Sequence, residues 1–368
     1  MSKKSIEPKK SQQWVHTPPK LVEPASVLIE LALARKEPGY HRAKAPAGYV
    51  QRGASTLNRF NPDGTVTSVL QWVKTTQDQD PDLLVELARE AVLSKPIPPA
   101  PVVKKPSAAT SKDLEVAIIL GDPHFGMLSW DKETGDDWDT SIARDVHTKA
   151  IRKALMLAPA SSRLLLINLG DAVHADGNNA TTTAGTRVDV DSRWPKVVRV
   201  FVETMNLAVE EGLQKHDHVE LVTIPGNHDS LTSLVIRMVL AERWRDNPRV
   251  TVAENLKMIW GHHFGSNLIC AMHGDKTRLN NIPTLIAQDF RKEWGASKHS
   301  FVFAGHIHHA KRQEFPGIEV EYFRALCSKD QWHAASGYRS KRSLRCDVFH
   351  REYGRVLMHE IGIESLKL

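Results

Sequence analysis

The segment 301-FVFAGHIHHAK-311 ends a short apolar run with a glycine and then places three histidines within four positions. Residues 301–304 have the composition of a buried strand, and Gly305 lets the backbone turn sharply after it. His306 and His308 stand two positions apart and can face a common site, whereas His309 borders the basic residues that follow. One such cluster can equally be a solvated loop, so its meaning depends on how other strands end.

Four other apolar runs are also followed by candidate metal ligands. Residues 115–120 are followed by Asp122 and His124, and residues 163–169 by Asp171 and His174. Residues 219–224 are followed by Asn227, His228 and Asp229, and residues 267–272 by His273 and Asp275. Amphipathic segments at 144–158, 192–213 and 231–245 separate the runs, so strand and helix alternate. This is the pattern of an α/β protein, whose sites lie beyond the carboxyl ends of the strands. Chance is a poor explanation for metal-binding groups that follow five separate strands at one edge of the sheet. We therefore predict a shared metal site there.

The donor types narrow the choice of metal. Seven side chains supply carboxylate, imidazole or amide groups and no thiolate: Asp122, His124, Asp171, Asn227, His273, His306 and His308. Such a set suits Mn, Fe, Zn or Ni, and its imidazoles argue against a pure Mg or Ca site. Seven donors are too many for one tetrahedral ion but fit two ions that share a carboxylate. Two metals about 3.5–4 Å apart would clamp a phosphoryl group and create a hydroxide nucleophile. We expect two divalent ions, with Mn first and Fe, Zn, Ni or Mg as alternatives.

The chain contains five short motifs: DxH at 122–124, GDxxH at 170–174, GNHD at 226–229, HG at 273–274 and GHxH at 305–308. In this order and spacing they resemble the motifs of the calcineurin-like metallophosphoesterase family, over residues 115–310. The resemblance implies a four-layer α/β/β/α sandwich with a dinuclear centre. It implies one metal held by Asp122, His124 and His308, and a second held by Asn227, His273 and His306, with Asp171 bridging. By the same resemblance His228 would stabilise the transition state or protonate the leaving oxygen, and Asp229 would orient it.

The segment 170-GDAVHADG-177 lacks the arginine of the GDxVDRG motif with which the family's protein phosphatases grip phosphate. GDxxH instead is similar to SbcD-type DNA repair nucleases, in which the extra histidine, here His174, helps orient the phosphate diester. Its alternative role is to support a metal ligand. Segments 129–139, 181–194, 327–338 and 350–354 also resemble metallophosphoesterases of bacteriophages and prophages. Arg187 and Arg193 could contact phosphate or bases there, or form ordinary surface salt bridges.

The 368-residue chain is predicted to have three parts. Residues 1–94 form a small basic α+β module with helices at 26–36 and 80–93 and a β-hairpin at 48–75. Residues 95–113, rich in Pro, Ala and Lys, form a linker, and residues 114–368 form the metallophosphoesterase domain. Three strand-like segments near the C-terminus, at 318–326, 343–350 and 355–361, predict a second sheet. Residues 1–112 carry 17 Lys and Arg against 10 Asp and Glu, which suits a polyanionic partner or simply a solvated tail.

No apolar run approaches the roughly 18 residues of a membrane span, and the N-terminus lacks a signal-peptide core. Three cysteines without a CxxC pair favour a reducing cytoplasm, in a bacterial host if the chain is phage-encoded. The leading hypothesis is therefore a dinuclear metal phosphodiesterase acting on nucleic acid, with DNA first, in phage DNA processing. One alternative is a hydrolase of small nucleotides or phosphomonoesters, and another is a nucleic-acid or assembly adaptor with vestigial catalysis. Whether the chain forms a homo-oligomer or acts with a partner ATPase stays open.

Overall fold

The computed structural model describes the backbone of residues 49–60 and 66–77, and residues 100–254 and 257–366 with their side chains. The chain divides into two compact units, residues 1–80 and 81–368. In the first unit, strand β1 (Tyr49–Phe60) pairs antiparallel with β2 (Val66–Gln77), at the positions predicted for the hairpin. The predicted helices at 26–36 and 80–93 lie outside the described residues. The three-part division of the chain stays a prediction.

The last part of the predicted linker is attached to the second unit. Ala100 and Val103 pack against its hydrophobic core, and the Arg249 guanidinium donates hydrogen bonds to the carbonyl oxygens of Val103 and Lys104 at 3.1 and 3.2 Å. Strand β3 (Ser111–Leu120) already begins within the predicted linker. Residues 100–113 therefore belong to the folded unit, and a truncation that preserves it must end before residue 100.

A six-stranded sheet has the order β13-β12-β3-β4-β5-β6. Its strands are β3 (Ser111–Leu120), β4 (Ser161–Asn168), β5 (His218–Thr223), β6 (Val250–Val252), β12 (Ser343–His350) and β13 (Gly354–Gly362). Strands β3 to β6 run parallel, and β12 and β13 add to the β3 edge antiparallel. Three of the predicted apolar runs thus form the parallel centre of one sheet.

A five-stranded sheet has the order β10-β11-β9-β8-β7. Its strands are β7 (Ile259–Phe264), β8 (Asn267–Met272), β9 (His299–Ala304), β10 (Lys311–Phe315) and β11 (Ile318–Tyr322). Strands β8, β9 and β11 are parallel. The predicted second sheet is present, but only one of the three C-terminal segments, β11, belongs to it. The other two join the first sheet because β12 finds its partner in β3.

The longer helices cover the outer faces of the two sheets, and short ones lie in the connecting segments. They are α1 (Asp131–Thr134), α2 (Thr140–Leu157), α3 (Trp194–Leu213), α4 (Ser230–Trp244), α5 (Ile282–Asp289), α6 (Arg291–Ala296) and α7 (Gln331–Ala335). Side chains alternate between the two faces of a strand: in β3, Val116 and Ile118 pack in a core with α2, α3 and α4. Their neighbours Ala117 and Ile119 pack in a second core between the sheets.

A third core joins the other face of the five-stranded sheet to α5, through residues such as Val302 and Ile286. The order of layers is therefore helix, sheet, sheet, helix, which confirms the predicted four-layer α/β/β/α architecture. Among the described residues, no helix combines the length and the apolar character needed to cross a membrane. The three cysteines, Cys270, Cys327 and Cys346, are buried free thiols.

Candidate metal centre

The predicted ligands follow the carboxyl ends of five strands, in two parallel sets. Strands β3, β4 and β5 are neighbours in one sheet, and β8 and β9 are neighbours in the other. Parallel strands present their carboxyl ends at one edge, so the polar loops that follow them meet. The structure brings all seven predicted ligands together at this edge.

Asp122 is fully buried and is surrounded by histidines of the 305–308 segment. Its Oδ1 lies 3.6 Å from Nε2 of His308. The backbone N–H of His306 donates to both carboxylate oxygens, at 2.8 and 3.0 Å. Nε2 of His124 in turn lies 3.1 Å from Nε2 of His308. Ligand atoms of Asp122, His124 and His308 all lie within 4.8 Å of one another, as one metal ion would require.

Asp171 lies between the two groups of predicted ligands. Its Oδ2 is 3.8 Å from Nε2 of His124 and 3.3 Å from Nε2 of His273. Nε2 of His273 is also 2.9 Å from Oδ1 of Asn227, and the rings of His273 and His306 lie 5.2 Å apart. One carboxylate oxygen is thus within reach of histidines from both groups, the position that a bridging ligand needs.

Five of the seven predicted ligands have a left-handed backbone. Positive φ angles occur at Asp122 (45°), His124 (44°), Asp171 (52°), His306 (71°) and His308 (55°). In the described part of the chain, Ala180 is the only other non-glycine residue with such an angle. This conformation is uncommon for residues with a side chain and concentrates at functional sites, where the surrounding structure holds it in place. The backbone is therefore arranged for the site rather than for local stability.

Two glycines make room for the ligands. A Cβ atom at Gly226 would overlap Oδ1 of Asp171, and one at Gly170, whose φ is +102°, would lie 2.6 Å from Nδ1 of His273. Both glycines precede donors in the GDxxH and GNHD motifs. The spacing of these motifs therefore reflects close approach of backbone to ligand as well as the need for a turn.

Gly226→Ala should displace the Asp171 carboxylate and lower the bound metal content. Gly295→Ala is the matched control, because a Cβ there meets nothing within 4 Å and no positive φ is involved. Metal content by atomic absorption and thermal unfolding of both variants would check this. Full metal occupancy in Gly226→Ala would show that Asp171 does not need its present position.

The electrostatics of the cluster fit cation binding. Burial alone would lower the pKa of His273, but the carboxylates of Asp171 and Asp122 raise it to about 10. Burial alone would raise the pKa of Asp171, but His273 holds it well below its usual range. Burial and the neighbouring imidazoles, His228 first, lower the pKa of His124. The buried carboxylates thus require nearby positive charge, which divalent ions would supply, and neutral His124 keeps a lone pair for a metal. The donor set present fits the implied ions.

His174 and His228 lie beside the ligands. Nδ1 of His174, a buried side chain, is 3.0 Å from Nδ1 of His124. Its ring stacks on that of His228 at 5.0 Å. Ligand atoms of His124, His174 and His228 also lie within 4.8 Å of one another. His174 therefore contacts a predicted ligand directly, as a supporting residue would, and also lines the cavity above the site.

Asp229 has a different contact from the one the resemblance implies. Nδ1 of His228 lies 2.8 Å from the carbonyl oxygen of His174, to which it must donate. The fully buried Asp229 carboxylate accepts hydrogen bonds from the backbone N–H groups of Asp171, Val173 and Gly226, at 3.2, 3.3 and 2.9 Å. Burial and the Asp171 charge raise the pKa of Asp229 to about 7. Asp229 thus holds the loops that carry the ligands, and the His174 carbonyl orients His228.

A cavity of about 550 Å³ opens above the cluster, lined by His228, His306 and His308 among others. One wall comes from the segment around α7, which supplies Trp332, His333 and Tyr338. The sequence pattern did not assign His333 and Asp330 to the site, yet the His333 ring stacks on that of His308 at 4.8 Å and 10°. Two signals were available in the sequence: the resemblance of segment 327–338 and the helix-capping spacing of Asp330 and His333. In the structure these two residues form a hydrogen bond of 2.7 Å that fixes the segment.

The two predicted phosphate contacts separate in space. Exposed Arg187 lines the 550 Å³ cavity. Arg193 lines a neighbouring cavity of about 410 Å³, with Trp194 and Asn178. In the part of the chain with described side chains, Arg187 makes no ion pair. Among these described side chains, no surface salt bridge accounts for Arg187.

No family model matches this sequence, and no curated protein matches it. Solved structures of similar fold include YfcE, a phosphoesterase from E. coli, at 13% identity and a TM-score of 0.35, covering 67% of this chain and 99% of that one. An archaeal phosphodiesterase matches at 12% identity and a TM-score of 0.32, covering 67% of this chain and 99% of that one. Vps29 with zinc from Entamoeba histolytica matches at 10% identity and a TM-score of 0.28, covering 67% of this chain and 99% of that one. Because these TM-scores are below 0.5, the similarities have no bearing on the activity of this chain.

Proposed function

We propose that this chain is a dinuclear metal-dependent phosphodiesterase that hydrolyses nucleic acid, with DNA as the preferred substrate. The observation that carries the proposal is the position of the Asp171 carboxylate between His124 and His273, which follow strands of two different sheets. Asp122, His124 and His308 would hold one ion, and Asn227, His273 and His306 the other. When bound, the two ions supply Lewis-acid activation of water and neutralise phosphate charge.

The protein groups around the ions supply orientation and proton transfer. The His174 carbonyl fixes the Nδ1 proton of His228, so Nε2 is the ring atom available to exchange a proton with the leaving oxygen. His174 supports His124 on the cavity side. Arg187, exposed on the same cavity, can pair with a phosphate oxygen of the substrate. These groups would bind a diester from several sides.

The preference for nucleic acid is supported by three features. The GDxVDRG pattern is not kept, since His174 stands at its second Asp and Ala175 at its Arg. The rings of Trp332 and Tyr338 line the same cavity as Arg187, and positive charge is concentrated before residue 113. A role in phage DNA processing in a bacterial cytoplasm is the biological context we propose. The 550 Å³ cavity could also hold a mononucleotide, which makes small-nucleotide hydrolysis the competing activity.

Chelation should abolish hydrolysis of a chromogenic phosphodiester, and Mn should restore it best among the divalent ions tested, since the mixed imidazole and carboxylate donors favour such ions. The measurement is the initial rate after EDTA treatment and gel filtration, with each metal added back. A rate that is unchanged after exhaustive chelation would contradict a metal-dependent mechanism.

Removal of residues 1–94, which carry 13 Lys and Arg against 10 Asp and Glu, should weaken hydrolysis of long DNA modestly and mainly through KM, most visibly at low salt, because a basic segment attracts a polyanion by releasing its counterions. Hydrolysis of a small chromogenic diester should be nearly unchanged, since residues 100–113 and the whole metal cluster are retained. If full-length and truncated proteins both ignore DNA and both cleave a mononucleotide, the enzyme is a small-molecule phosphoesterase.

A further inference from the structure

We infer that Trp332 and Tyr338 form a base-stacking subsite, so that the enzyme binds the nucleotide adjoining the reacting phosphate by its nucleobase. This inference rests on the proposed function and names the part of the substrate that the cavity recognises. The two rings lie 5.8 Å apart on one wall of the cavity that contains the predicted metal ligands.

Trp332 is exposed to an extent unusual for its size. Its fractional exposure is 62%, although large apolar side chains in this unit mostly lie in the three cores. Tyr338 is half-buried beside it. Aromatic rings that face a cavity with polar groups opposite are typical of binding sites, since their faces are available to a flat ligand.

Short ring-to-ring distances separate Trp332 and Tyr338 from the predicted metal ligands. The His333 ring lies 5.0 Å from the Trp332 ring and 5.0 Å from that of Tyr338. It stacks on the predicted ligand His308 at 4.8 Å. Two ring-to-ring steps therefore separate Trp332 from the metal cluster, which leaves room for a sugar between a phosphate at the metals and a base at the wall.

The wall is fixed rather than loose. The Asp330 carboxylate accepts hydrogen bonds from both the backbone N–H and Nδ1 of His333, each at 2.7 Å. His333 holds the pKa of Asp330 down, at about 2, against the effect of burial. A carboxylate that stays ionised keeps His333 in place, and with it the neighbouring rings. A pre-positioned surface loses little conformational freedom when it binds.

The chemistry of the wall favours a nucleobase over other flat groups. Arg187 lines the same cavity and can pair with the phosphate to which the base is attached. The cavity thus offers ring faces in addition to a cation, so the expected occupant is a planar, aromatic and phosphorylated molecule. Stacking discriminates little between bases, which suits an enzyme that accepts many sequences.

The test compares ligands with and without a base, by calorimetry on the Mn-loaded full-length protein. A nucleoside 5′-monophosphate should bind about 10-fold or more tightly than ribose 5-phosphate, since stacking on an aromatic ring is worth roughly 1–3 kcal/mol. Trp332→Ala and Tyr338→Ala should remove most of that difference while leaving ribose 5-phosphate affinity unchanged. Trp332→Phe should retain much of it.

Tyr353→Ala is the matched control, because Tyr353 is 69% exposed and stacks on His350 away from the cavity. An undiminished base preference in Trp332→Ala and Tyr338→Ala, with active enzyme, would overturn the subsite and leave the proposed function intact. A base preference that Trp332→Ala abolishes, in a protein that hydrolyses no phosphodiester, would support the subsite and overturn the proposed function.

Discussion

Asp171→Asn is expected to lower kcat by several orders of magnitude and to reduce the bound metal content. The substitution keeps the size of the side chain, and its amide oxygen can still accept the 2.8 Å hydrogen bond from the His228 N–H. It removes the negative charge that lies between His124 and His273. Two cations held close together repel each other strongly, and without that charge the pair is no longer stabilised.

The measurement for Asp171→Asn combines metal analysis with steady-state rates on a chromogenic diester. Asp145→Asn is a suitable control, since it removes a carboxylate of the same kind from an exposed ion pair with Lys149 on α2, where little effect is expected. Turnover close to that of the wild type in Asp171→Asn would show that another residue bridges the metals, or that one metal suffices.

His228→Ala should leave both metals bound while turnover falls by about 10²–10⁴, the usual contribution of a general acid or base. The backbone N–H of residue 228, which donates to Asp171, is retained in this variant, so the carboxylate should stay in place. The loss would then reflect the missing ring, whose Nδ1 proton is fixed by the His174 carbonyl.

His309→Ala provides the control for His228→Ala. His309 belongs to the histidine-rich segment but is exposed, and its Nδ1 lies 2.8 Å from the carbonyl oxygen of Ile307. Because His228 also lies within metal-binding distance of His124 and His174, the metal content of His228→Ala is informative in itself. A protein that loses metal would identify His228 as a ligand rather than as an acid.

The parts of the fold that follow from local pattern could be predicted from the sequence. An apolar run followed by a polar donor recurs five times, four times with a glycine before the donor, and the carboxyl ends of parallel strands lie together at one edge of a sheet. Helices α2, α3 and α4 fall close to the predicted amphipathic segments for the same reason. The pairing of β12 with β3 was not predictable, because nothing in 343–350 says which of two sheet edges it will meet.

The side-chain partners within the site also depend on the tertiary structure. Asp229 follows His228 directly in the sequence. In the structure, however, its carboxylate accepts hydrogen bonds from the backbone N–H groups of residues 171, 173 and 226. Asp330 and His333 come from a segment about twenty residues beyond the last motif and reach the metal centre only because the chain returns to it. Adjacency along the chain says little about such contacts.

The left-handed backbone at five ligand positions links the heat tolerance of this protein to its metal loading. Each such residue opposes folding by roughly 1–2 kcal/mol, while the net stability of a domain is only about 5–15 kcal/mol. Ions that bind the folded chain and not the unfolded one raise the free energy of unfolding in proportion to the logarithm of their concentration. The melting temperature of this protein should therefore depend on the availability of free metal in the surrounding medium, and a metal-starved cell would hold a smaller folded pool of it.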